Sequence, residues 1–407
     1  MKNRAVPKPA VTRALPMACL LGDIDMLVPL ARAGIPTALV AERDDPARHS
    51  RLARGFIPRL DHWTEQEAFV ERLLAWASQQ SDRPVLFFQT DGDLLLVSRH
   101  REALQSRFGF VIAEHEIIEK LLDKARFYEL AVDLGLHAPA TRSVRADDGL
   151  ADAGGLRFPL LVKWARRGPT QWIDPGAKAV KVSAQTELEQ VWERLAESRL
   201  DVVVQELIEG PESRIESYHA YIDGDGEVVA DFTGAKIRTY PVHFGYTTAL
   251  EITDADDVRK EGRNVVARLD LRGVVKVDFK RDGAGQLWLL EVNPRFNLWH
   301  HAGALAGVNL PALVYADVTG TPRPATQRAR AGITWCEPFE DRWAAEEQGL
   351  SLAAWAKWVL HTDARSGADW SDLKPLVLGS LWPRARRKIR ERQRALARGV
   401  RTFGWHR

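Results

Sequence analysis

The sequence predicts an α/β fold that passes into an α+β one, and three observations predict it. The chain opens on strand-helix-strand patterning, its middle sets two antiparallel hairpins among helices, and its end turns helical and cationic. A β-α-β start favours a parallel sheet with crossover helices. Hairpin signals favour antiparallel pairing further on.

In order, 14–22 reads as a buried strand, 23–34 as an amphipathic helix closed by Gly34, and 35–42 as a second strand. A helix is predicted over 64–80, where Thr64 and Glu67 have capping-box spacing. The run 83–93 reads as a strand ending in the polar turn "TDGD", and 94–108 returns as a helix. Residues 1–115 thus outline a small open α/β domain. No GxGxxG follows its first strand, so dinucleotide binding is not suggested. One helix is predicted over 117–135, stopped by Gly135 and Pro139. "FPLLVKW" (158–164) is a strand, 186–197 a helix, and "DVVVQELI" (201–208) a strand closed by "EGPE". The turn "GDG" (224–226) joins one hairpin, and a helix over 257–270 precedes a second hairpin over 273–293. Beyond 321, "TPRPATQR" reads as a linker and 351–360 as a short amphipathic helix. Nine basic residues and one acid, Glu391, then fill the run from Arg384 to Arg401.

Composition narrows the function classes. A length of 407 residues suits one oversized domain or two to three ordinary ones, and 45% apolar with 28% charged residues is the make-up of a soluble globular chain. A net charge of +2 gives no bulk attraction for polyanions, so no specific nucleic-acid partner is expected. Cys19 and Cys336 are too few and too far apart for a disulfide framework, which fits a reducing compartment. No apolar run approaches the ~18–20 residues of a membrane span, and the short apolar part of the N-terminus leads into a strand. The expected location is the cytoplasm. The cationic run suits peripheral contact with an anionic inner-membrane face; a solvated helix or tail is the alternative.

The chemistry is concentrated in "EVNPR" (291–295). On a strand, Glu291, Asn293 and Arg295 share a face. If Ala284 and Gly285 are the turn of the second hairpin, Asp278 and Glu291 become direct cross-strand neighbours. Two carboxylates so placed repel each other unless a cation lies between them. Mg²⁺ suits that position, with Asn293 as a third hard oxygen donor. Arg295 beyond it would meet a phosphoryl group or a carboxylate. A solvated strand face is the bland alternative. Upstream, Lys163 emerges from an apolar strand, Lys124 from a helix, and Lys236 and Arg238 lie two apart in "GAKIRTYPVHFG". Each reads as a phosphate or carboxylate ligand or as an ordinary surface cation. Gln205 and Glu206 close a buried strand whose backbone suits a planar base, and Glu212 beyond the Gly-Pro turn suits ribose hydroxyls.

These pieces in this order resemble the ATP-grasp superfamily: "LLDKARFYELAVDLGLHAPAT", "FPLLVKW", "VVVQELIEGPES", "VVKVDF" and "LLEVNPR". The resemblance covers roughly 117–310, and "FTGAKIRTYPVHFG" with "QTDGDLLLVSRHREAL" is most similar to a branch that includes D-aspartate ligases. It implies an ATP-grasp fold over 116–320, with a nucleotide lid over 140–206 and a metal-binding, catalytic subdomain over 207–320. A small α/β domain precedes it, and a basic helical extension, 321–407, follows. It implies that Lys124 and Lys163 contact ATP and that Glu206 and Ile208 grip adenine. Glu212 would bind ribose, and Asp278, Glu291 and Asn293 would bind Mg²⁺, two ions with Mn²⁺ able to substitute. Arg295, with Arg238, would stabilise the acyl-phosphate step. The implied activity joins a small carboxylate, activated by ATP, to an amine, in the context of a cell-envelope or polysaccharide precursor. Chemistry on bicarbonate and a non-catalytic ATP module are the alternatives. The sequence departs from the family between 164 and 181, where only Gly168 and Gly176 stand in place of a glycine-rich phosphate loop. Substrate contacts are expected in 239–250 and 296–303, from among His243, Tyr246, Trp299 and His300.

Overall fold

The computed structural model describes residues 15–145, 147, 154–165, 179–197, 201–367 and 372–381. The cationic run and the stretch 166–178, where a phosphate-covering loop is expected, lie outside those residues.

The chain first builds β1 (Ala18–Leu21), α1 (Ile24–Arg32), β2 (Thr37–Ala41), β3 (Ala53–Pro58), α2 (Gln66–Ala77), β4 (Val85–Phe88) and α3 (Asp91–Arg99). The four strands pair in parallel in the order β3-β2-β1-β4. They are continuously apolar at the centre because both faces are covered. Leu21, Val40 and Phe88 meet Phe69 and Leu73 of α2 on one side. Leu20, Leu39 and Phe87 meet Leu27 and Leu30 of α1 on the other. Strand order reverses between β1 and β4, so a crevice opens beyond their C-terminal ends.

Two local expectations fail here. The capping box does not form: α2 starts after Glu65 without a side-chain cap. Asp61 instead accepts from the amides of Trp63 (2.7 Å) and Thr64 (2.8 Å). The polar turn expected over 90–93 is instead the start of α3: the strand stops at Phe88, and Thr90 caps the helix by accepting from the Asp93 amide at 3.1 Å. That draws "DGD" into the first turn of the helix.

After α4 (Arg101–Gln105) come α5 (His115–Leu122) and α6 (Lys124–Asp133), where one helix is expected. Asp123 breaks it. Its backbone is extended (φ −95°, ψ 111°), and its side chain caps α6 by accepting from the Arg126 amide at 3.2 Å. A second sheet follows, from β5 (Thr141–Val144), β6 (Leu160–Trp164), β7 (Val180–Val182), α7 (Gln185–Glu197) and β8 (Val202–Glu206). Its antiparallel order is β5-β8-β6-β7. Leu160, Val162, Val202 and Val204 pack on Leu188 and Leu195 in a core of their own. Strand alternation then sends Leu161, Lys163 and Gln205 to the opposite face.

The third sheet takes β9 (Ile215–Ile222), β10 (Val228–Tyr240), β11 (Tyr246–Thr253), then, after α8 (Asp256–Arg268), β12 (Gly273–Arg281) and β13 (Leu287–Asn293). Helices α9 (Trp299–Leu305) and α10 (Leu310–Thr319) cover it, so 299–303 is buried helix rather than a substrate loop. Trp299 lies flush on Gly234, where an added Cβ would stand 2.5 Å from its ring. Residues assigned from sequence to the extension add β14 (Thr334–Cys336), α11 (Pro338–Glu347), α12 (Leu352–His361) and β15 (Ala364–Arg365). The two strands complete a seven-stranded sheet ordered β13-β12-β9-β10-β11-β14-β15. Asp25 ties the first sheet to this one: its buried carboxylate accepts from Trp335 Nε1 (2.7 Å) and Ser366 Oγ (2.6 Å) and pairs with His301 Nδ1 (2.9 Å). Among the described residues, no single helix is long and apolar enough to cross a membrane.

Candidate active site

A cavity of about 510 Å³ opens where the three sheets meet, within the size range of small-molecule sites. The second sheet contributes Lys163, Gln205, Glu206 and Ile208; α6 contributes Lys124; the third sheet contributes Lys236, Asp278, Lys280 and Glu291. Glu212, which opens the short turn before β9, completes that wall.

Each side chain arrives by a local device. The break at Asp123 makes Lys124 the first residue of α6, and its amide bonds Ala165 O at 2.8 Å, beside the end of β6. Lys163 donates to Gln205 Oε1 at 2.6 Å, and Gln205 Nε2 donates to Thr141 Oγ1 at 2.9 Å, so three strands of the second sheet are joined through one amide. Burial, then the charge of Lys124, lowers the Lys163 ammonium to about 8, against the pull of Glu291 and Glu212. Arg157 grips the Glu206 carboxylate (Nη2 to Oε2, 2.8 Å) and holds it below its usual range. What Glu206 offers the cavity is therefore backbone. The Glu206 and Leu207 amides are engaged by Ala140 O (2.9 Å) and Pro159 O (3.0 Å), which leaves Ile208 as the next donor along the wall. Glu212 is held by Lys280 Nζ at 3.3 Å.

The carboxylate end depends on a bulge. Asp278 and Glu291 are register partners, as expected, but by another route. The turn has three residues, not two: Asp282 N bonds Gln286 O at 3.0 Å, and Gly285 takes the positive φ (88°) that such a loop requires. A register shift between Asp278 and Phe279 then leaves Leu290 as an extra residue on β13. Before it, Leu287 and Leu289 face the core; after it, Val292 does. The bulge thus swings Glu291 and Asn293 out of the core face and onto the face of Lys276, Asp278 and Lys280. Tyr128 on α6 donates to the Leu290 carbonyl at 2.8 Å. Asp278 accepts from Ser217 and from Lys276 Nζ (2.7 Å), a cation that the sequence reading missed although it sits two residues before the aspartate.

Not every expected residue converges. Asn293 is buried on the same face, in register with Lys276, and Arg295 follows it; neither lines the cavity. Arg238 is a correction. Register shifts on both sides of it turn it away from Lys236. Its guanidinium is buried in a bidentate pair with Asp341 of α11 (2.8 and 2.7 Å) and lies 4.0 Å from the Trp358 ring centroid. Lys236 stays on the cavity, its ammonium lowered by burial against the pull of Asp278. Of the expected substrate contacts, only Tyr246 lines the cavity; His62, Trp63, Thr90 and Asp91 do so unannounced.

Behind the carboxylate end, His219 and His300 are fully buried, and all four ring nitrogens lack a hydrogen-bond partner among the described residues. Burial, helped by Lys276, pushes His219 well below 6.5; burial, helped by Arg295, pushes His300 to about 3. Both are neutral when folded but take protons when unfolded. Stability is therefore complete above pH 6.5 and falls as pH drops below it, by up to ~1.4 kcal/mol per pH unit for each ring. Urea melts from pH 7.5 to 4.5 measure this, and His300→Phe should flatten the slope; an unchanged slope in that variant overturns the assignment.

Comparison with known proteins agrees with this geometry. A family model described as "ATP-grasp in the biosynthetic pathway with Ter operon" matches residues 198–338, which hold Gln205–Ile208, Lys236 and the Asp278/Glu291 pair. The chain is 24% identical over 296 residues to the D-aspartate ligase of Enterococcus faecium, covering 69% of this chain and 70% of that one. It is 27% identical over 218 residues to the D-alanine–D-alanine ligase of Pseudomonas fluorescens, covering 48% of this chain and 61% of the relative. In fold it matches the ADP complex of N5-carboxyaminoimidazole synthetase from Staphylococcus aureus (TM-score 0.58, 15% identity, 76% of this chain and 78% of that one). With a four-stranded antiparallel sheet, a seven-stranded sheet and a carboxylate-ended cavity between them, the chain has an ATP-grasp fold, and its residues 198–338 match an ATP-grasp family model.

Proposed function

We propose that the protein is an ADP-forming ligase that activates a substrate carboxylate as an acyl phosphate with Mg-ATP and couples it to an amine. The observation that carries this is the Asp278/Glu291 cross-strand pair at the end of a lysine-lined cavity whose other end is the Gln205–Ile208 hinge. The hinge backbone takes the adenine, Glu212 the ribose, and Lys124, Lys163 and Lys236 the phosphates. Asp278, Glu291 and Asn293 are hard oxygen donors and fit Mg²⁺. Asp278 already holds a cation, Lys276, which supports a demand for positive charge at that point. Bound there, two such ions, with Mn²⁺ as a substitute, would neutralise the β- and γ-phosphate oxygens.

The substrate carboxylate attacks the γ-phosphorus, the bond to the bridging oxygen breaks, and ADP leaves. Arg295, bonded to Asn293 at the end of β13, is the cation assigned to the charge that spreads over the transferred group. The amine then attacks the acyl carbon, and inorganic phosphate and a proton leave. Water excluded by the closed cavity cannot hydrolyse the acyl phosphate. The names of the two ligase relatives support an amino acid as one substrate. A cell-envelope or polysaccharide precursor is our proposal for the other. ADP release with Mg-ATP over pairs of amino acids and carboxylates tests the reading. ADP release that needs both partners is expected. Turnover with bicarbonate alone would move the protein to carboxyphosphate chemistry, and no nucleotide turnover with any pair would sink the ligase.

A further inference from the structure

The turn "TDGD" (90–93) has no part in ATP binding as described, yet Asp91 lines the cavity and is buried. It follows β4 at the crevice where the first sheet reverses its strand order. Arg295 reaches across to it from the end of β13. The guanidinium Nε donates to the Asp91 carboxylate, Nη1 donates to Gln89 O at 2.9 Å and to Phe296 O at 3.2 Å, and Nη2 donates to Asn293 Oδ1 at 3.4 Å. Nε and Nη1 are thus fixed by the preceding domain, and Nη2 is bonded to Asn293 beside the carboxylate pair. A guanidinium held on separate sides in this way keeps one orientation.

We infer that Asp91 is a positioning residue: the preceding α/β domain aims Arg295 at the γ-phosphoryl group through the Asp91 carboxylate and the Gln89 carbonyl. This rests on the reading of Arg295 as a phosphoryl ligand. Asp93, in the same turn, serves as the contrast. It is fully buried too, but its partners are Arg59 and Thr90 (2.7 Å), and it does not touch Arg295.

The test needs no knowledge of the substrates. Titration calorimetry with Mg-AMPPNP and with Mg-ADP gives each protein's preference for a γ-phosphoryl group. Asp91→Asn should cut the wild-type preference about tenfold, the scale of one charge-assisted hydrogen bond, while ADP affinity holds. In an Arg295→Lys background the same change should have little further effect, since residues that act as a unit are non-additive. Asp91→Glu should restore part of the preference. Asp93→Asn should lower the melting temperature and leave the preference unchanged. Equal losses from Asp91→Asn with and without Arg295, or no loss in either, overturn the inference. Absence of nucleotide binding by the wild-type protein would overturn the ATP reading itself, a separate outcome.

Discussion

Glu291→Gln is expected to give a folded protein that still binds nucleotide and turns over roughly 10²–10³-fold more slowly than wild type. The substitution keeps shape and removes one charge of a cross-strand carboxylate pair. Without a divalent ion, the repulsion between the two carboxylates is offset by Lys276 on Asp278 and by the attraction of Glu291 for Lys163, so loss of one charge should change the metal-free melting temperature little. With Mg²⁺ the two diverge: wild type gains stability by mass action and the variant gains little. Melting curves at several Mg²⁺ concentrations, beside kcat for ADP release, check both halves. Wild-type turnover by the variant removes Glu291 from the reaction. A variant that slows but keeps the full Mg²⁺ shift leaves the catalytic role and moves the metal elsewhere.

The hairpin that carries this prediction shows what the sequence could and could not reveal. Spacing from a supposed two-residue turn paired Asp278 with Glu291, and the pairing is right. The turn is one residue longer, and the bulge at Leu290 restores the count. Nothing in "LWLLEVN" marks that bulge, because every side chain near it suits a strand. It is fixed from outside, by Tyr128 on α6. Strand alternation was legible where one face is apolar: Lys163 and Gln205 fell on the cavity side because Leu160, Val162, Val202 and Val204 fill the lid core. Long-range contacts were not. That Lys124 begins a helix rather than riding on one depends on a single aspartate cap. Asp91 became visible only when segments far apart in sequence were brought together; Lys276, two residues before Asp278 on β12, was within reach of strand alternation and was passed over.

The same limit misread Arg238, and the correction has a large measurable consequence. Two residues from Lys236 in an extended run, it was expected on the same face; register shifts at 236–239 break the alternation. Asp341 is completely buried and accepts from Arg238 twice, from Thr248 Oγ1 (3.0 Å) and from Trp355 Nε1 (3.0 Å). Arg238→Met would strand that carboxylate among neutral groups. Breaking a buried pair in this way costs about 3–5 kcal/mol. Arg238→Met with Asp341→Asn removes both charges and should recover part of it, since an uncompensated charge costs more than a missing pair. Chemical denaturation reads the stability, and kcat measured well below the melting temperature reads the chemistry. The expected pattern is a large stability loss in the single variant, partial recovery in the double, and kcat within a few-fold of wild type in both. A collapse of kcat at unchanged stability would return Arg238 to the reaction and place the α11 contact second.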